Sequence, residues 1–421
     1  MPRLPSLAIF RHRLFRRYWL VRLTATLGVQ MQATAMGWQI YDVARAQGQS
    51  VLEGSFLLGL VGLAQFLPLL VLSLFGGQAA DRYNRKRILI LCLIAKAAIV
   101  ALLAAATAFD QAITLTIFVA AALAGAVNAF MPPAATALLP MLVPREDLPQ
   151  AIAWSSLGFQ SGLIAGPVFG GLLYGVSAPA PYLVALVLFA AGALAFATLA
   201  TPAQAPIEQS GALRMIGEGL AYVWSNKIVL GAISLDLIVV LLAGAVALLP
   251  VFARDILHAG PDELGVLRSA MGVGAALVAL ALAARPIRTR VGAWMFASVF
   301  VFGLATIAFG LSQNLWLTAL ALAVAGGFDM ISVYVRQTLI QLATPDDMRG
   351  RVGAVSFVFI SASNELGDFE AGLMARIFGP VLAVVLGGGA AIAAAAGWMR
   401  LFPELAKADG FEPAPVRRDP A

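Results

Sequence analysis

The chain has 421 residues, of which 61% are hydrophobic and only 12% charged, and its mean hydropathy is +0.88. Soluble domains carry about 25% charged residues, and a chain of this composition folded in water would expose apolar patches that soluble monomers do not tolerate. A water-soluble protein and a large soluble nucleotide-binding domain are therefore excluded. The net charge of +6 does not indicate nucleic-acid binding, because the basic residues lie in short segments between apolar runs.

Few residues in the chain are suited to metal or cofactor chemistry. The single cysteine, Cys92, lies inside an apolar run, and the two histidines, His12 and His258, lie far apart. Neither a disulfide framework nor a cysteine-based metal site is possible, and the phosphate-binding pattern G-x-x-x-x-G-K-[ST] does not occur. We expect no cofactor, no metal and no enzymatic activity.

Apolar runs of about 20 residues, each long enough to cross a bilayer as a helix, follow one another along the chain. The predicted spans are 18–43, 54–79, 87–108, 112–139, 151–175, 181–200, 228–253, 263–284, 291–311, 315–340, 352–375 and 379–399. A polar break divides these twelve spans into six and six. The sequence therefore predicts an all-α membrane protein made of two six-helix bundles.

This division defines four segments of the chain. We predict an N-terminal bundle at 1–200, a cytoplasmic linker at 201–227, a C-terminal bundle at 228–400 and a cytoplasmic tail at 401–421, which is expected to be disordered after Pro403. Apolar linker residues recur at helical spacing and predict an amphipathic helix on the membrane surface. These residues are Leu213, Ile216, Leu220 and Val223.

The basic residues favour one side of the membrane. Most lie before the first span or in the segments that share its side, whereas the opposite side has only Arg45, Arg254 and Arg376. The positive-inside rule therefore predicts that both termini are cytoplasmic.

Short sequences recur in the two halves at a nearly constant offset. Asp147 and Leu148, after the fourth span, match Asp347 and Met348, after the tenth. Such parallel six-helix repeats, related by an axis along the membrane normal, are a transporter architecture in which substrate binds between the halves.

The segment at 76–87, between the second and third spans, can be explained simply as a basic cytoplasmic loop with glycines at a helix contact. It also resembles the signature loop G-x-x-x-D-R-x-x-R-[RK] of the major facilitator superfamily. The matching residues are Gly77, Asp81, Arg82, Arg85 and Lys86. The resemblance implies a cytoplasmic latch in which Asp81 meets the start of the eleventh span near Arg349 and Arg351.

A second motif lies in the fifth span. It comprises Gly162, Gly166, Pro167, Gly170 and Gly171. Small residues at four-residue spacing allow close helix packing, and a proline permits a kink, so tight packing alone is one explanation. The motif also resembles the one associated with antiporters of the same superfamily, which implies export.

Further sequences resemble the branch of the superfamily that contains the bacterial enterobactin exporter. They occur at 15–20, 30–39, 137–140, 336–339 and 364–370. The resemblance extends over all twelve spans, but members of the branch differ in substrate, so the cargo stays open.

Acidic residues within the spans are costly in lipid and should face a cavity or a partner. We predict a proton-coupling site from such acids and one base, namely Asp236, Asp329, Arg336, Glu365 and Asp368. Glu365 and Asp368 share a helix face, and two close carboxylates favour retention of a proton. The alternative is that these acids form structural ion pairs with Arg336 and Arg268.

Amides and aromatic rings within the spans are the candidate lining of a substrate cavity. They are Gln32, Trp38, Gln39, Gln65, Asn128, Gln160 and Asn364. The mixture suits an amphipathic or aromatic cargo, although Trp38 and Tyr41 would also fit an interfacial aromatic belt. Lys96, in the third span, is expected to extend its amine towards the membrane surface.

Together these features predict a proton-coupled secondary transporter of the bacterial inner membrane. It would export a small amphipathic or aromatic molecule, of siderophore type, by alternating access. We expect a monomer that binds its cargo, protons and lipid, and no nucleic acid. The alternatives are a broad hydrophobic drug efflux pump and a transporter-like membrane sensor that does not transport.

Overall fold

The computed structural model describes residues 7–110, 113–198, 212–345 and 348–411, and every regular element within these ranges is helical. The first half contains α1 (Arg13–Ala46), α2 (Val51–Arg82), α3 (Arg85–Ala108), α4 (Ile113–Leu138), α5 (Leu148–Val176) and α6 (Ala180–Ala197). The remainder contains α7 (Ala212–Ser225), α8 (Lys227–Leu242), α9 (Leu249–Val251), α10 (Pro261–Ala284), α11 (Val291–Leu311), α12 (Leu315–Ala343), α13 (Arg349–Phe378), α14 (Pro380–Leu401) and α15 (Pro403–Ala406).

Ten membrane-spanning segments are evident from length and apolar composition alone. The other two predicted spans correspond to α1 and α13, which have 34 and 30 residues and carry more charge. At 1.5 Å per residue the shorter of these is about 45 Å long, which exceeds the roughly 30 Å of bilayer hydrocarbon. The prediction of twelve spans in an all-α membrane protein is confirmed.

The spans pack as two bundles with equivalent contacts. In the first half α1 packs against α5 and α6, and α2 packs against α4; in the second half the corresponding contacts are those of α8 with α13 and α14, and of α10 with α12. The halves meet along α2 with α13 and along α5 with α10. The second and fifth spans of each half thus contact the fifth and second spans of the other, as expected for a repeated six-helix unit.

The two sides of the molecule differ in how the halves are joined. We call the side where α1 begins the terminal side, and the side where α1 ends the far side. One continuous buried cluster joins Trp38 and Tyr41 of α1 to Leu248 and Phe252 of the seventh span, on the far side. The buried residues of the second cluster belong to the linker helix and the second half alone. Apolar packing therefore holds the halves together on the far side.

The seventh span is interrupted, whereas the sequence predicted one continuous helix over 228–253. Its helix α8 ends at Leu242, and the chain continues through a 3₁₀ turn, the short α9 and a π-helical turn over Phe252–Ile256. Gly244 lies at the break, where a Cβ would come within 2.8 Å of the Gly367 backbone in α13. Pro250 follows, and it has no N–H to donate. An unbroken apolar run concealed these two helix-breaking positions.

The predicted loop at 76–87 is mostly helical. Helix α2 continues to Arg82, so Gly77 lies within it, and only Tyr83 and Asn84 separate it from α3. The side chain of Asn84 caps α3 by accepting a hydrogen bond from the N–H of Arg87 at 3.1 Å. Most of the motif therefore lies at the adjoining ends of α2 and α3 and not in an extended loop.

The linker contains the predicted helix α7. Val223 is only 2% exposed and Leu220 packs against the second cluster, whereas the side chains of Leu213 and Ile216 lie outside the described residues.

The expectation of a disordered tail is wrong for its first part. Leu405 of α15 is fully buried, and the carbonyl of Ala408 accepts a hydrogen bond from the N–H of Gly292 at 3.0 Å. Phe411 packs edge-on against Tyr334 at a centroid distance of 6.1 Å. These apolar residues, isolated among polar ones in the sequence, attach the tail to the second half. Residues 412–421 lie outside the described ranges.

Candidate functional site

Two acidic side chains lie where the two halves meet. Glu365 and Asp368 of α13 face Gly62 of α2, where a Cβ would come within 2.8 Å of the Asp368 Cβ and 2.9 Å of the Glu365 carbonyl oxygen. Only glycine leaves room for this approach. The absence of a side chain on α2 thus brings the carboxylate-bearing face of α13 against the first half.

A guanidinium group belongs to the same region. Arg268 of α10 has a terminal nitrogen 3.4 Å from the Thr34 hydroxyl of α1, and it attracts Asp368 electrostatically. Glu365 and Asp368 repel each other when both are ionised. Four helices, two from each half, therefore contribute to one charged centre.

This centre has a defined chemical capacity. A carboxylate removed from water gains stability from a proton, a cation or a hydrogen-bond donor. The arrangement can therefore bind and release a proton, and it can accept hydrogen bonds from a ligand between the halves.

The other predicted coupling residues lie inside the second half. Asp236 of α8 forms an ion pair with Arg336 of α12, and both side chains are less than 10% exposed. Asp329 and Asp236 line a small cavity of about 10 Å³ together with Ser332. The structure thus separates the predicted set into an interface pair, Glu365 and Asp368, and a group buried within one bundle.

Gln39 and Trp38 lie within the first bundle. Gln39 is 1% exposed; its amide nitrogen donates to the Thr107 hydroxyl at 2.8 Å, and its amide oxygen accepts from the Tyr182 hydroxyl at 2.7 Å. Trp38 is 8% exposed and belongs to the buried apolar cluster. These contacts connect α1 to α3 and α6, so both side chains have structural partners.

Asn128 of α4 is also bonded within the first bundle. The Lys96 amine of α3 donates to its side-chain oxygen at 3.0 Å, and Lys96 is only 2% exposed. The expectation that Lys96 extends to the membrane surface is wrong, because the amide offers an acceptor at its own depth.

The remaining predicted cavity residues differ in position. Gln160 of α5 donates to the Gly272 carbonyl of α10 at 3.2 Å and thus joins the halves. Gln32 is 5% exposed, Gln65 is partly exposed, and Asn364 is exposed and donates to the Ile360 carbonyl of its own helix.

The glycine motif of α5 packs against α1. A Cβ at Gly162 would lie 2.7 Å from the Thr26 Cβ, one at Gly166 would lie 2.5 Å from the Gln30 Cβ, and one at Gly170 would lie 2.9 Å from the Met31 carbonyl oxygen. Each small residue is thus used to bring the two helices together.

The same motif also contacts the second half. A Cβ at Gly171 would lie 2.1 Å from the Pro261 carbonyl oxygen, and one at Gly265 of α10 would lie 2.6 Å from the Pro167 carbonyl oxygen. The motif therefore forms two helix interfaces, one within the first half and one between the halves.

The basic residues of the predicted latch have identified partners. Arg85 donates to the Ala137 carbonyl at 2.9 Å, and Lys86 donates to the Ala197 carbonyl at 3.0 Å, both within the first half. Arg349 donates to the Gln341 carbonyl at 3.0 Å, and Arg351 lies 3.0 Å from Glu218 of the linker helix. The side chain of Asp81 lies outside the described residues, so its predicted contact stays a prediction. Arg82 is exposed.

Sequence reasoning missed a set of crossed ion pairs on the far side. Asp42 of α1 pairs with Arg254, and Arg45 lies 3.1 Å from Asp255, which also accepts a hydrogen bond from the Tyr41 hydroxyl. We call these five residues the far-side clamp. The signal was present in the sequence, because an acid and a base lie within three residues of each other at the ends of two spans.

Arg376, the third basic residue on the far side, also joins the halves. Its guanidinium lies 4.4 Å from the ring centroid of Phe56, in a cation–π contact between α13 and α2. All three basic residues that departed from the charge bias of the sequence thus connect one half to the other.

Two six-helix bundles that meet around a charged centre, with inter-half ion pairs on one side, define a multi-pass transporter of the major facilitator type. The sequence matches the family described as transmembrane secretion effectors over residues 4–418. The chain belongs to this family of the major facilitator superfamily.

Two curated relatives are named as exporters. The chain is 27% identical over 366 residues to the enterobactin exporter EntS of Citrobacter koseri, and 28% identical over 366 residues to EntS of Shigella boydii. In both comparisons the match covers 85% of this chain and 83% of the relative.

Solved transporter structures share the fold. A bacterial homologue of the human lysosomal transporter Spinster has a TM-score of 0.71 at 16% identity, over 96% of this chain and 99% of that chain. A D-xylose–proton symporter has a TM-score of 0.70 at 12% identity, over 94% and 99%. The nucleoside transporter NupG has a TM-score of 0.68 at 14% identity, over 92% and 100%. At these identities the likeness concerns the fold alone.

Proposed function

We propose that this protein is a proton-coupled secondary transporter that exports a small amphipathic or aromatic molecule, of siderophore type, across the bacterial inner membrane. The observation that carries the proposal is the position of Glu365 and Asp368 against Gly62, at the contact between the halves. The surroundings of a proton-binding group at that contact change when the two bundles move relative to each other. The names of the relatives support export of a siderophore.

The proposed cycle alternates access to this centre between the two sides. The far-side clamp and the apolar cluster around Trp38 close the far side in the described conformation. Export requires the clamp to separate so that cargo leaves on the far side. A proton then binds at the carboxylates, and the protonated protein returns to the conformation in which the far side is closed. The charge bias of the sequence supports cytoplasmic termini, with the terminal side facing the cytosol.

Reconstituted proteoliposomes test the coupling. With an imposed pH gradient, the wild-type protein should move cargo against its concentration, and Glu365→Gln and Asp368→Asn should each abolish this flux while cargo binding persists. Transport that survives both changes would assign the proton to another group, with Asp236 and Asp329 the next candidates. Absence of flux for every cargo in a folded wild-type protein would favour a sensor.

Cargo class is tested in cells. A deletion strain should accumulate intracellular siderophore while its tolerance of hydrophobic drugs is unchanged. The converse result, with normal siderophore export and lost drug tolerance, would favour the broad efflux pump. The two alternatives predict opposite results in both measurements, so the assay distinguishes them.

A further inference from the structure

Arg22 is a cation inside the first span that the proposed cycle does not use. Helix α1 starts at Arg13, so at 1.5 Å per residue Arg22 lies about 14 Å along the helix from its terminal-side end. A charged group within a span is costly unless it faces a cavity or a partner of opposite charge. The neighbours of the guanidinium group decide between these two explanations.

Those neighbours are neutral. One terminal nitrogen of Arg22 donates to the Tyr18 hydroxyl at 3.1 Å, and the guanidinium lies over the ring of Phe159 of α5, 5.7 Å from its centroid. The Tyr18 hydroxyl donates its own proton to the Ala135 carbonyl of α4 at 3.0 Å. In the described part of the chain no carboxylate forms an ion pair with Arg22, and its Nε is buried without a hydrogen-bond partner. The side chain is held in place, but its charge is not neutralised.

Arg22 points into the molecule and not towards the lipid. At 3.6 residues per turn it lies about 200° around α1 from Leu20 and about 180° from Arg13, and both of these side chains are exposed. Its contacts with α5, and through Tyr18 with α4, lie on the inner side of the helix. Arg22 is nevertheless partly exposed, so it borders an open space inside the protein.

The face of α5 that carries Phe159 shows where this space opens. Phe159 is 42% exposed although it contacts Arg22, and Ile152, two turns nearer the terminal side on the same face, is 50% exposed. Towards the far side that face is buried, at Gly166 and Gly170. The buried cluster around Trp38 closes the far side, so the space beside Arg22 opens towards the terminal side.

The side chains on this wall suit one kind of ligand. A guanidinium carries a fixed positive charge, and its planar N–H groups match the two oxygens of a carboxylate. The exposed ring of Phe159 provides a surface on which a second aromatic ring packs favourably. A ligand that carries a negative group on an aromatic ring would use both.

We propose that Arg22 and Phe159 form a cargo-recognition site for an anionic aromatic group of the aromatic carboxylate type. The inference rests on the proposed export function and deepens it, because it assigns a charge to the cargo. Since Arg22 has no acidic partner to give up, the ligand supplies the missing negative charge. Thr34, which contacts Arg268 at the charged centre, lies about 18 Å further along α1, so cargo recognition and proton binding use separate groups.

Equilibrium binding of radioactive salicylate to the full-length protein in lipid nanodiscs tests this site, with salicylamide as an uncharged competitor of similar shape. The wild type should bind salicylate more tightly than salicylamide. Arg22→Gln should raise the Kd for salicylate by about tenfold, equivalent to about 1.4 kcal/mol, and leave that for salicylamide unchanged. Phe159→Leu should weaken the binding of both. The matched control Arg16→Gln removes the same charge from an exposed position of α1 and should bind like the wild type.

A conservative variant guards against misfolding. Arg22→Lys keeps the charge but loses the planar fork, and its affinity should lie between those of the wild type and Arg22→Gln, while thermal unfolding checks that each variant is folded. Equal salicylate affinity in Arg22→Gln and the wild type, or a wild type that prefers salicylamide or binds neither compound, would overturn the proposal.

Flux through proteoliposomes made from the same wild-type preparation separates this result from a failure of the export function. Cargo transport by the wild type, with salicylate affinity unchanged in Arg22→Gln, would overturn the recognition site alone. Absence of flux for every cargo would overturn the export function, whatever the binding measurements show.

Discussion

Asp42, at the end of the first span, forms an ion pair with Arg254 in the π-helical turn of the seventh span, although 212 residues separate them in the chain. The pair belongs to the crossed arrangement in which Arg45 meets Asp255. Each span end supplies one acid and one base, so the two ends fit in one register only. This relationship fixes how the two halves meet on the far side.

Charge reversal tests this clamp. Asp42→Arg or Arg254→Asp alone should favour far-side opening, because each variant replaces attraction with repulsion, and the double variant should restore closure. A partly exposed pair contributes at most about 1 kcal/mol, so the loss of its attraction alone alters the ratio of open to closed molecules by up to about fivefold. The repulsion introduced by charge reversal adds to this change. Distances between spin labels on α1 and α10 at the far side measure this ratio.

The control for that experiment is Asp110→Asn. Asp110 lies exposed on the same side, and its neutralisation removes one acid without altering the clamp. Similar opening in Asp110→Asn and in the single variants would show that general surface charge, rather than these pairs, determines the closed state.

Tight backbone contact predicts a strong effect at Gly171. An added methyl group would lie 2.1 Å from the Pro261 carbonyl oxygen, so Gly171→Ala must separate α5 from α10 and should cost about 1–3 kcal/mol. Gly175→Ala is the matched control four residues further on, because a Cβ there would lie 3.9 Å from Pro261 Cγ, an ordinary van der Waals contact. Thermal unfolding in detergent compares the two; equal stability would contradict the close contact.

Lys96 and Asn128 should respond unequally to substitution. Asn128→Ala leaves a buried amine without its acceptor and should destabilise the protein by about 1–3 kcal/mol. Lys96→Met removes the charged group itself and leaves only the partly buried Asn128 oxygen without its donor, so it should cost less stability than Asn128→Ala. Unfolding midpoints of the two variants give the comparison, and a larger loss in Lys96→Met would argue for a role of the amine beyond this bond.

Gln39 should behave as a structural residue. Tyr182→Phe removes the hydroxyl that donates to the Gln39 amide oxygen and should cost about 1–3 kcal/mol of stability with cargo affinity unchanged. Equilibrium binding and unfolding on the same preparation separate the two effects. A selective loss of cargo affinity at normal stability would return Gln39 to the cavity lining.

The overall architecture could be predicted because each apolar run, together with the charges beside it, determines whether that segment spans the membrane and in which direction. Each run must form a helix to satisfy its backbone in lipid, so the spans and the division of the chain followed from composition. The break at Gly244 was missed because an apolar run looks the same whether or not its helix is continuous. The attached tail was missed because two apolar residues, Leu405 and Phe411, are too few for a periodic signal.

The charged residues show the limit of sequence reasoning more clearly. That Asp236, Glu365 and Asp368 need partners or cavities follows from the cost of burial in lipid. Which partner each one has depends on how helices rotate and cross, and this is set by distant contacts such as Gly62 against α13. The pairing of Asp236 with Arg336, and of Lys96 with Asn128, is therefore visible only in three dimensions.

The buried cluster on the far side determines how the free energy of opening depends on temperature. Separation of the halves there exposes Trp38, Tyr41, Leu248 and Phe252 to water, and hydration of apolar surface raises the heat capacity. The free energy of opening is then curved in temperature, and the apolar contribution to closure weakens on cooling. If opening limits turnover, the transport rate follows a bent Arrhenius plot, with less slowing in the cold than a fixed activation enthalpy would give.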